Sequence, residues 1–351
     1  MMDKKITLAD VAKSLGISKT VVSLVINGKG DQHGISKETQ RRVRERIAEL
    51  SYTPNQLARG FRTGRTQTIG LIVSDISNRF YAQLARYIED LAWKMGYTLV
   101  TCSTDEKVKK EVRQIELLLD RKVDGLIISS SQQTATMFNN MLEQGRAHVL
   151  IDRVFDSMQS AAVSVDNYGG GVMAAAHLVA QGAMRPALFG VEPGHISSLV
   201  QRSEGFCSEL RNSGLILEPY YHFKAPFHAL EEAIAARLED YHHNHSMPDA
   251  LFALNNNITT FCLKHLQRLG YDVPGQVRLI GFDDATWFSF TRPTITAIDQ
   301  PIELIAERAF ALLIAQISST TTAPQPHEVL PVKLIRRLST AKADSTKLLV
   351  S

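Results

Sequence analysis

The sequence contains few cysteines and no long apolar run. Its three cysteines, Cys102, Cys207 and Cys262, are far apart and lack CxxC spacing, which argues against a disulfide framework or a zinc site. We expect three buried thiols. No run of about 18 apolar residues is present to cross a bilayer. The segment MMDKKITLADVAK has no apolar stretch after its basic residues, so we predict a cytoplasmic protein with no secretory signal and no membrane partner.

Patterns for catalysis, metal binding and nucleotide binding are also missing. The histidines His242, His243 and His245 lie between a helical pattern and a strand pattern, where solvated histidines are ordinary. The segment NYGGG (167–171) lacks GxGxxG spacing and a Walker lysine, so its glycines indicate close approach of backbones. No Ser/His/Asp set is recognisable. We therefore predict no enzyme, no catalytic or metal-binding residue and no cofactor.

Positive charge is concentrated at one end of the chain. Residues 1–66 contain 13 Lys and Arg against 6 Asp and Glu, a balance of +7, whereas the remainder has a balance of −4 within the net charge of +3. A basic segment on an acidic body is typical of a polyanion-binding head, although a solvated charged face explains the charge alone equally well. A chain of 351 residues predicts two or three domains.

After residue 66, short apolar runs alternate with amphipathic segments such as RFYAQLARYIEDLAWKMG. Near-continuous apolar runs that end in polar residues are typical of strands buried on both faces of a parallel sheet. The alternation predicts repeated βα units and hence a doubly wound α/β body. The nine predicted strands cover residues 68–75, 97–104, 123–131, 147–153, 161–167, 185–191, 220–225, 249–254 and 277–284.

Nine strands are many for one such sheet, so we divide the body into two sub-domains near residue 165, where no Pro/Gly-rich linker marks the division. Ligands of these sheets bind outside the carboxyl ends of the strands. The polar residues at these ends are therefore candidates for a binding cleft: Ser74, Asp75, Asp152, Arg153, Asp166, Asn167, Asn255 and Asp283.

The basic segment begins with two short helical patterns, ITLADVAKSLG and GISKTVVSLVING. The second is rich in β-branched residues, which favour a strand by propensity. A Ser18 cap, an Asn27-Gly28 end and the i, i+3, i+4 spacing of Val22, Val25 and Ile26 outweigh that preference and predict a helix. Two helices joined by a short turn form a helix-turn-helix, whose second helix can lie in the DNA major groove.

Two further segments complete this region. A third helix over residues 36–52 keeps Arg41, Arg42, Arg44 and Arg46 outside, where some can contact phosphate and others are only solvated. The segment TPNQLARGFRTGRT then predicts a short helix over 55–62 that is marginal alone. A segment that is ordered only when docked can act as a switch.

Head and body together resemble the LacI/GalR family of transcriptional regulators. The matching segments are ITLADVAKSLGISKTVVSLVING, ISKETQRRVRERIAELSYTPNQLARGFRTGRTQTIGLIVSDISN, RKVDGLII, VLIDR, VSVDNYGGG, QRSEGF, PDALFALNN and LIGFDDATWF. The resemblance extends to about residue 337. Within the family, VINGKGDQHGIS, GFRTGRT and RQIELLLDRKVDGLIISSS are most similar to the fructose repressor or catabolite repressor-activator group.

The resemblance implies a homodimer, with a tetramer left open. Each head would read half of a palindromic operator in double-stranded DNA, and paired hinge helices would enter the minor groove between the half-sites. Matching the family pattern onto this chain predicts these DNA-binding residues: Ser18, Lys19, Thr20, Ser23, Leu24, Asn27, Ser36, Thr39, Asn55, Ala58, Arg59 and Phe61.

Three positions depart from the usual family pattern. Leu24 stands where many members have Arg, and it either contacts a thymine methyl group or packs within the head. Phe61 replaces the usual Leu wedge between base pairs. Arg79-Phe80 replaces the usual Pro-Phe, which predicts a different first wall of the cleft.

For a small-molecule effector, the resemblance places Arg202, Asn255 and Asp283 in the cleft. Carboxylate and amide groups pair with vicinal hydroxyls, and Arg binds a hydroxyl pair, a carboxylate or a phosphate. Two arginines in reach would favour an anion such as a sugar phosphate, and an uncharged sugar stays open. The second-line candidates, each also explained as a helix cap or ion pair, are Asp75, Phe80, Asp152, Arg153 and Trp287.

The resemblance also sets the expected domains. They are a helix-turn-helix domain (1–53), a hinge helix and linker (54–66), a periplasmic-binding-protein-like body (67–338) and a mobile tail (339–351). Within the body, the first sub-domain combines 67–164 with 295–322, and the second combines 165–294 with 323–338.

The resulting hypothesis is a ligand-responsive transcriptional regulator, most simply a repressor. Three alternatives stand beside it. A solute-binding protein predicts a signal sequence and no basic head, a sugar-modifying enzyme predicts a catalytic acid/base pair, and a cytoplasmic sugar-binding protein of the same fold would have no role in gene regulation.

Overall fold

The computed structural model describes residues 6–52, 65–318 and 326–342. These residues form two compact units, a head and a body, divided between Thr66 and Gln67. The expected hinge helix over 55–62 lies outside the described residues. None of the helices in the described ranges combines the length and apolar character that a membrane span requires.

The described residues of the head form three helices, α1 (Leu8–Leu15), α2 (Lys19–Ile26) and α3 (Lys37–Glu49). Thr7 and Asp10 form a capping box at the start of α1, and Gly16 ends it at a φ of +66°. Such caps satisfy backbone groups that the helix itself leaves without partners. The two helices and their three-residue turn confirm the predicted helix-turn-helix.

The segment GISKTVVSLVING is helical because one of its faces is needed by the core. Val22 and Val25 on α2 are buried against Val11 on α1 and Val43 on α3. The Ser18 hydroxyl accepts a hydrogen bond from the Val21 amide (3.3 Å), so the helix begins at a cap. Burial of a continuous apolar face outweighs the residues' preference for strands.

The body contains twelve strands among its described residues. They are β1 (Thr68–Val73), β2 (Thr98–Ser103), β3 (Gly125–Ile128), β4 (His148–Ile151), β5 (Ala161–Val165), β6 (Pro186–Val191), β7 (His222–Ala225), β8 (Ala250–Ala253), β9 (Arg278–Phe282), β10 (Thr296–Asp299), β11 (His327–Leu330) and β12 (Lys333–Ile335).

Two six-stranded sheets share these strands, in the orders β11-β5-β4-β3-β1-β2 and β12-β10-β9-β8-β6-β7. Every pairing is parallel except that of β10 with β12. All nine predicted strands are present, and the doubly wound α/β body is confirmed. Each sheet is the centre of one sub-domain.

Helices connect the parallel strands. They are α4 (Arg79–Lys94), α5 (Val108–Asp120), α6 (Thr136–Glu143), α7 (Asn167–Ala180), α8 (Ser197–Asn212), α9 (Leu230–His243), α10 (Asn256–Arg268) and α11 (Ile302–Ser318). Short 3₁₀ turns cover Pro219–Tyr221, Phe227–Ala229, Thr286–Ser289 and Leu338–Thr340.

The predicted sub-domain boundaries are wrong near the C-terminus. Strand β10, expected in the first sub-domain, pairs with β9 in the second sheet, and β11, expected in the second, pairs with β5 in the first. The chain therefore crosses between sub-domains three times, after β5, after β10 and between β11 and β12. An edge strand such as β11, with alternate residues exposed, has no continuous apolar run that would reveal it.

The expected mobile tail begins too early. Ser339 and Thr340 are buried, and the Thr340 hydroxyl lies 2.7 Å from Nε2 of His177 on α7. The Ser339 hydroxyl donates to the carbonyl of Leu279 in β9. These buried hydrogen bonds fix residues that carry no hydrophobic pattern. Residues 343–351 lie outside the described residues.

Two features of the core were only partly predicted. The glycines of NYGGG do allow close approach: a Cβ on Gly171 would lie 2.2 Å from the Arg202 carbonyl oxygen, and one on Gly205 would lie 2.0 Å from that of Tyr168. Helices α7 and α8 therefore pack backbone to backbone. All three cysteines are free, but only Cys262 is fully buried, because Cys102 lies on the edge strand β2 and Cys207 lies half-buried on α8.

Candidate functional sites

The face of α2 opposite the head's core is accessible. Ser18, Lys19 and Thr20 are exposed, and Ser23 and Leu24 are half-buried. Lys19 has no carboxylate partner among the described residues. Among those residues, Leu24 is not one of the apolar side chains packed against the head's core. This surface presents a cation, hydroxyls and one apolar side chain.

Other predicted DNA-binding residues already have roles inside the head. The Asn27 amide donates to the carbonyl of Ser23 (2.6 Å), which ends α2. The Ser36 hydroxyl accepts from the Thr39 amide (3.2 Å), which begins α3. Ser36 is exposed at the N-terminus of α3. The N-terminus of a helix favours anions. Asn55, Ala58, Arg59 and Phe61 lie outside the described residues.

A buried residue that no sequence pattern indicates orders the loop between α2 and α3. Gln40 is 3 % exposed, and its amide donates to Asp31 and to the carbonyl of Ile35, both at 2.8 Å. A Cβ on Gly30 would lie 2.5 Å from the Gln40 side chain, so a larger residue there would displace the Gln40 amide. These contacts hold the loop that precedes α3.

A cavity of about 60 Å³ lies between the two sub-domains, at the carboxyl ends of the strands. Seven of the eight predicted effector residues line it, namely Asp75, Phe80, Asp152, Arg153, Arg202, Asn255 and Asp283. Pockets that hold small ligands usually enclose roughly 300 Å³ or more, so the sub-domains are nearly closed on each other.

Trp287 is the predicted residue that does not line this cavity. It packs edge-on against Phe288, and the Arg79 guanidinium lies 6.0 Å from its ring. Arg79 also donates a hydrogen bond to the Thr286 hydroxyl. Arg79, which stands where the family usually has Pro, therefore forms a contact between the sub-domains and does not form a wall of the cavity.

Two aspartates at strand ends carry the same unusual backbone conformation. Asp152 follows β4 with a φ of +65°, and Asp283 follows β9 with a φ of +69°. Non-glycine residues in this region are strained, and such strain is often found at functional sites. The two turns aim one carboxylate from each sheet into the cavity.

Asp152 joins groups from both sub-domains. It accepts a hydrogen bond from the Tyr81 hydroxyl (3.0 Å) and lies 3.4 Å from Nε of Arg153 and 3.8 Å from Nη2 of Arg202. Burial, together with the nearby carboxylates, raises the pKa of Tyr81, which keeps the phenol protonated as a donor. Tyr81 escaped prediction because its position on the apolar face of α4 is that of a core residue.

Arg202 is held rigidly although it is a cation in the interior. It is 3 % exposed, donates from Nε to Asn167 and from Nη1 to the Leu254 carbonyl, both at 2.8 Å, and stacks 3.6 Å above the Phe282 ring. These contacts leave Nη2, whose one near neighbour among the described residues is Asp152, for the cavity.

Asp283 and Asn255 retain capacity for a ligand. Asp283 accepts from Gln300 and, at 3.5 Å, from Asn256, although a carboxylate can accept about four hydrogen bonds. Burial raises the pKa of Asp283, and Arg202 opposes that shift. The side-chain amide oxygen of Asn255 caps α10 by accepting a hydrogen bond from the Ile258 backbone amide (2.9 Å). The two N–H groups of the Asn255 side chain are then available to donate to a ligand.

Arg153 has a carboxylate partner that was not predicted. Glu106 binds its guanidinium through two hydrogen bonds of 2.5 and 2.8 Å, with both side chains more than 90 % buried. Burial is the largest single influence on the pKa of Glu106 and would raise it, but the charge of Arg153 and the hydrogen bonds from Arg153, Ser131 and Ser74 together lower it. Glu106 follows β2, so the strand-end rule that found the other residues could have found it.

No group of three or more metal-ligating side chains occurs in the described ranges. The histidine-rich segment 242–245 extends from the end of α9, where Nδ1 of His242 lies 3.1 Å from the Tyr271 hydroxyl. The charged side chains that line the cavity, among the described residues, are arginines and carboxylates.

Comparison with known proteins agrees with this architecture. Residues 7–55 match the family of bacterial regulatory proteins described as the lacI family, and residues 175–340 match a periplasmic binding protein-like domain. The transcriptional regulator KdgR of Bacillus subtilis is 31 % identical over 342 residues, which cover 95 % of this chain and 97 % of KdgR. The chain belongs to the lacI family.

Solved structures agree with the fold of a lacI-family regulator. The lac repressor dimer bound to operator and an anti-inducer is 22 % identical, with a TM-score of 0.83 over 96 % of this chain and 100 % of that one. A LacI transcriptional regulator of Alkaliphilus metalliredigens in complex with D-xylulofuranose is 29 % identical, with a TM-score of 0.68 over 79 % of this chain and 100 % of that one. The protein is a DNA-binding transcriptional regulator, as predicted, and these relatives are regulators rather than enzymes. The assignment to the fructose repressor group stays a prediction.

Proposed function

We propose that this lacI-family regulator binds a palindromic operator as a homodimer and that a small hydroxylated molecule, a sugar or sugar phosphate, controls its DNA affinity. The observation that carries the proposal is the pairing of an exposed basic helix-turn-helix with a polar cavity between two sub-domains. Because operator DNA is the partner, we place its action in the cytoplasm.

For DNA binding, α2 is the recognition helix. Lys19 and Thr20 at its exposed start are proposed to reach base edges in the major groove, while Ser18, Ser23 and Ser36 contact phosphates. Leu24 is proposed to contact a thymine methyl group, because it is half-exposed and outside the packed core.

Selection from a pool of random DNA duplexes tests this proposal. Full-length protein is expected to enrich duplexes with two inverted half-sites, whereas Lys19→Ala should enrich a different or weaker half-site. Lys13→Ala, which removes an exposed lysine from α1 instead, is the matched control. Enrichment of sequences without inverted symmetry would contradict binding as a symmetric dimer.

For effector binding, three groups that line the cavity have open hydrogen-bonding capacity. The Asp283 carboxylate can accept from hydroxyls, and the Asn255 amide and Nη2 of Arg202 can donate. A carboxylate beside such donors is suited to adjacent hydroxyls on a ring. D-xylulofuranose, the ligand of the Alkaliphilus relative, belongs to this chemical class.

Contacts across the cleft provide a means of coupling. The Val154 amide donates to the Ser197 hydroxyl (3.0 Å), and the Asn256 amide donates to Asn78 (3.0 Å), so a ligand that changes the closure of the cleft must change these contacts. A ligand that favours one arrangement shifts the equilibrium by its difference in affinity for the two. A thermal-shift screen of sugars and sugar phosphates, followed by DNA titrations with each stabilising compound, tests this. A compound that stabilises the protein but leaves DNA affinity unchanged would contradict its role as effector.

Dimerisation is proposed to use the face beside the edge strand β2. Trp93 and Met95 at the end of α4 are 80 % and 53 % exposed, and Val100 on β2 is 37 % exposed. Exposed large apolar side chains are typical of protein interfaces. Sedimentation of Trp93→Arg is expected to show a shift from dimer to monomer, and an unchanged dimer would place the interface elsewhere.

A further inference from the structure

Glu106 occupies an unusual place in the cleft. It and Asp105 are consecutive non-glycine residues with φ values of +55° and +53°, a conformation that only a well-fixed turn maintains. This turn after β2 directs the Glu106 side chain into the cavity, where it is 8 % exposed. The turn therefore holds the Glu106 carboxylate in the cavity, while the Asp105 side chain pairs with Lys110 outside it.

The carboxylate of Glu106 occupies the guanidinium of Arg153. Nη2 donates to one carboxylate oxygen at 2.5 Å, and Nη1 donates to the other at 2.8 Å. The Ser130 carbonyl accepts from Nη1 (2.9 Å), and Asp152 lies 3.4 Å from Nε. Nη1 and Nη2 of Arg153 thus both donate to the Glu106 carboxylate, which balances the guanidinium charge, whereas Nε makes no hydrogen bond to a described residue and faces Asp152 as an ion pair.

The charges that line the cavity sum to a surplus of carboxylates. Against the two arginines stand four acidic side chains, Asp75, Glu106, Asp152 and Asp283. A ligand phosphate would meet more carboxylates than cations, with Nη2 of Arg202 as its open cationic donor, and juxtaposed like charges are strongly unfavourable. Two arginines therefore do not favour an anion here, contrary to the expectation from sequence.

We propose that Glu106 is the residue that sets the charge specificity of the effector site: by neutralising Arg153 it restricts the site to uncharged hydroxylated ligands and excludes sugar phosphates. This inference rests on the proposed effector function of the cavity. Removing the Glu106 charge releases Arg153, leaves Asp152 as its nearest carboxylate and makes the binding of an anion more favourable than in the wild type.

The test measures binding of inorganic phosphate to the full-length chain by calorimetry at constant ionic strength. Glu106→Gln is expected to bind phosphate at least about tenfold more tightly than wild type, as release of one buried charge implies. The double variant Glu106→Gln/Arg153→Gln should lose that gain. Asp105→Asn is the matched control, because it removes the same charge one residue away, at a side chain that pairs with Lys110 and does not line the cavity. Because every variant keeps the same basic head, any phosphate bound there contributes equally to all the measurements and does not affect their differences.

Equal phosphate affinity in wild type and Glu106→Gln, or an equal gain in Asp105→Asn, would overturn the proposal. Glu106→Ser is the second variant if the glutamine variant does not fold, with the same expectation. An independent arm compares a sugar that stabilises the wild type with its own phosphate ester, which should bind at least about tenfold more weakly. If no sugar stabilises the wild type, the proposed ligand class fails, while the phosphate measurement still decides the role of Glu106.

Discussion

The head and the cleft place their charges in opposite ways. On the head, Lys19 and Arg42 are exposed and, among the described residues, have no carboxylate partner. In the cleft, Arg153 and Arg202 are each at least 95 % buried and face carboxylates, carbonyls or an aromatic ring. The head presents its charge to the solvent, whereas the cleft pairs its charges internally.

This difference teaches what each site can recognise. Exposed unpaired cations attract a polyanion over a screening length that depends on the salt concentration. Their attraction to phosphates does not depend on the DNA sequence. Buried, balanced charges exert little net field, so they recognise a ligand through hydrogen-bond geometry at contact. Arginine can therefore contribute to DNA binding where it is exposed and to recognition of hydroxyl groups where it is buried.

The largest expected effect concerns salt. If the exposed cations contact several phosphates, DNA affinity should fall by about a thousandfold between roughly 50 and 200 mM salt. Binding of an uncharged ligand in the cleft should change little over the same range, because its charges are already paired. Anisotropy titrations of a labelled duplex and calorimetry of a stabilising sugar measure the two. A similar salt dependence at both sites would remove the contrast.

The next largest effect is expected for Arg202→Ala, which should reduce protein stability and abolish the effector response. It leaves the Asn167 oxygen and the Leu254 carbonyl without their donor, and we expect the free energy of unfolding to fall by about 3 kcal/mol. The response of DNA binding to the effector should be lost, whereas DNA affinity itself should remain. Urea denaturation and DNA titrations with and without a stabilising sugar measure these quantities.

Arg211→Ala provides the control for this variant. It removes an exposed arginine near the end of the same helix, α8, so stability and effector response should both stay near wild type. If Arg202→Ala destabilises the protein but responds normally to the effector, Arg202 has only a structural role.

Leu24→Ala tests the apolar group on the head's exposed face. Since Leu24 lies outside the packed core, its truncation should change the free energy of unfolding by less than about 0.5 kcal/mol. Loss of a thymine-methyl contact should weaken operator binding about fivefold, with little effect on random DNA. The buried neighbour Val25→Ala should show the reverse, losing about 2 kcal/mol of stability. A large stability loss in Leu24→Ala would assign it to packing.

Sequence patterns predicted the fold where burial is continuous. Seven of the nine predicted strands are almost wholly buried, as in Ile69–Val73 of β1, whereas the predicted strands β2 and β7 are sheet edges with exposed residues. Strands β10, β11 and β12 were missed: β10 is buried but only four residues long, β11 exposes alternate residues, and β12 is only three residues long. The helical state of α2 was predictable because its caps and its apolar face agree.

Only the cleft residues at the ends of strands could be predicted from the sequence, and their hydrogen-bond partners could not. Asp152 and Asp283 were found because polar residues at parallel strand ends converge. Tyr81 and Gln300 were not, since their partners come from distant parts of the chain: Tyr81 donates to Asp152, and Gln300 donates to Asp283. The charge balance of a site depends on such tertiary pairs, so the two arginines in the sequence suggested an anion, whereas the proposal from the structure is an uncharged ligand.

The smallest predicted effect concerns the surplus of acid beside the cleft. Burial, with Asp284 and Asp283 nearby, raises the pKa of Asp299 from 3.8 to about 6. Between these two pH values the native state binds more protons than the unfolded state, so this group makes stability fall as pH rises from about 4 to about 6. Asp299→Asn removes that loss, and after allowance for solvent screening the variant should be about 1 kcal/mol more stable than wild type at pH 7.

Urea denaturation at a series of pH values measures this difference. Wild type and Asp299→Asn should be equally stable below about pH 4 and diverge as pH rises, because the wild-type carboxyl is protonated in both states only at the lower pH. Glu303→Gln, which removes an exposed carboxylate from the first turn of α11, is the control and should give no pH-dependent gain. A constant difference between wild type and Asp299→Asn at every pH would mean that the carboxylates beside the cleft do not destabilise one another, and the contrast with the head would then rest on the arginines alone.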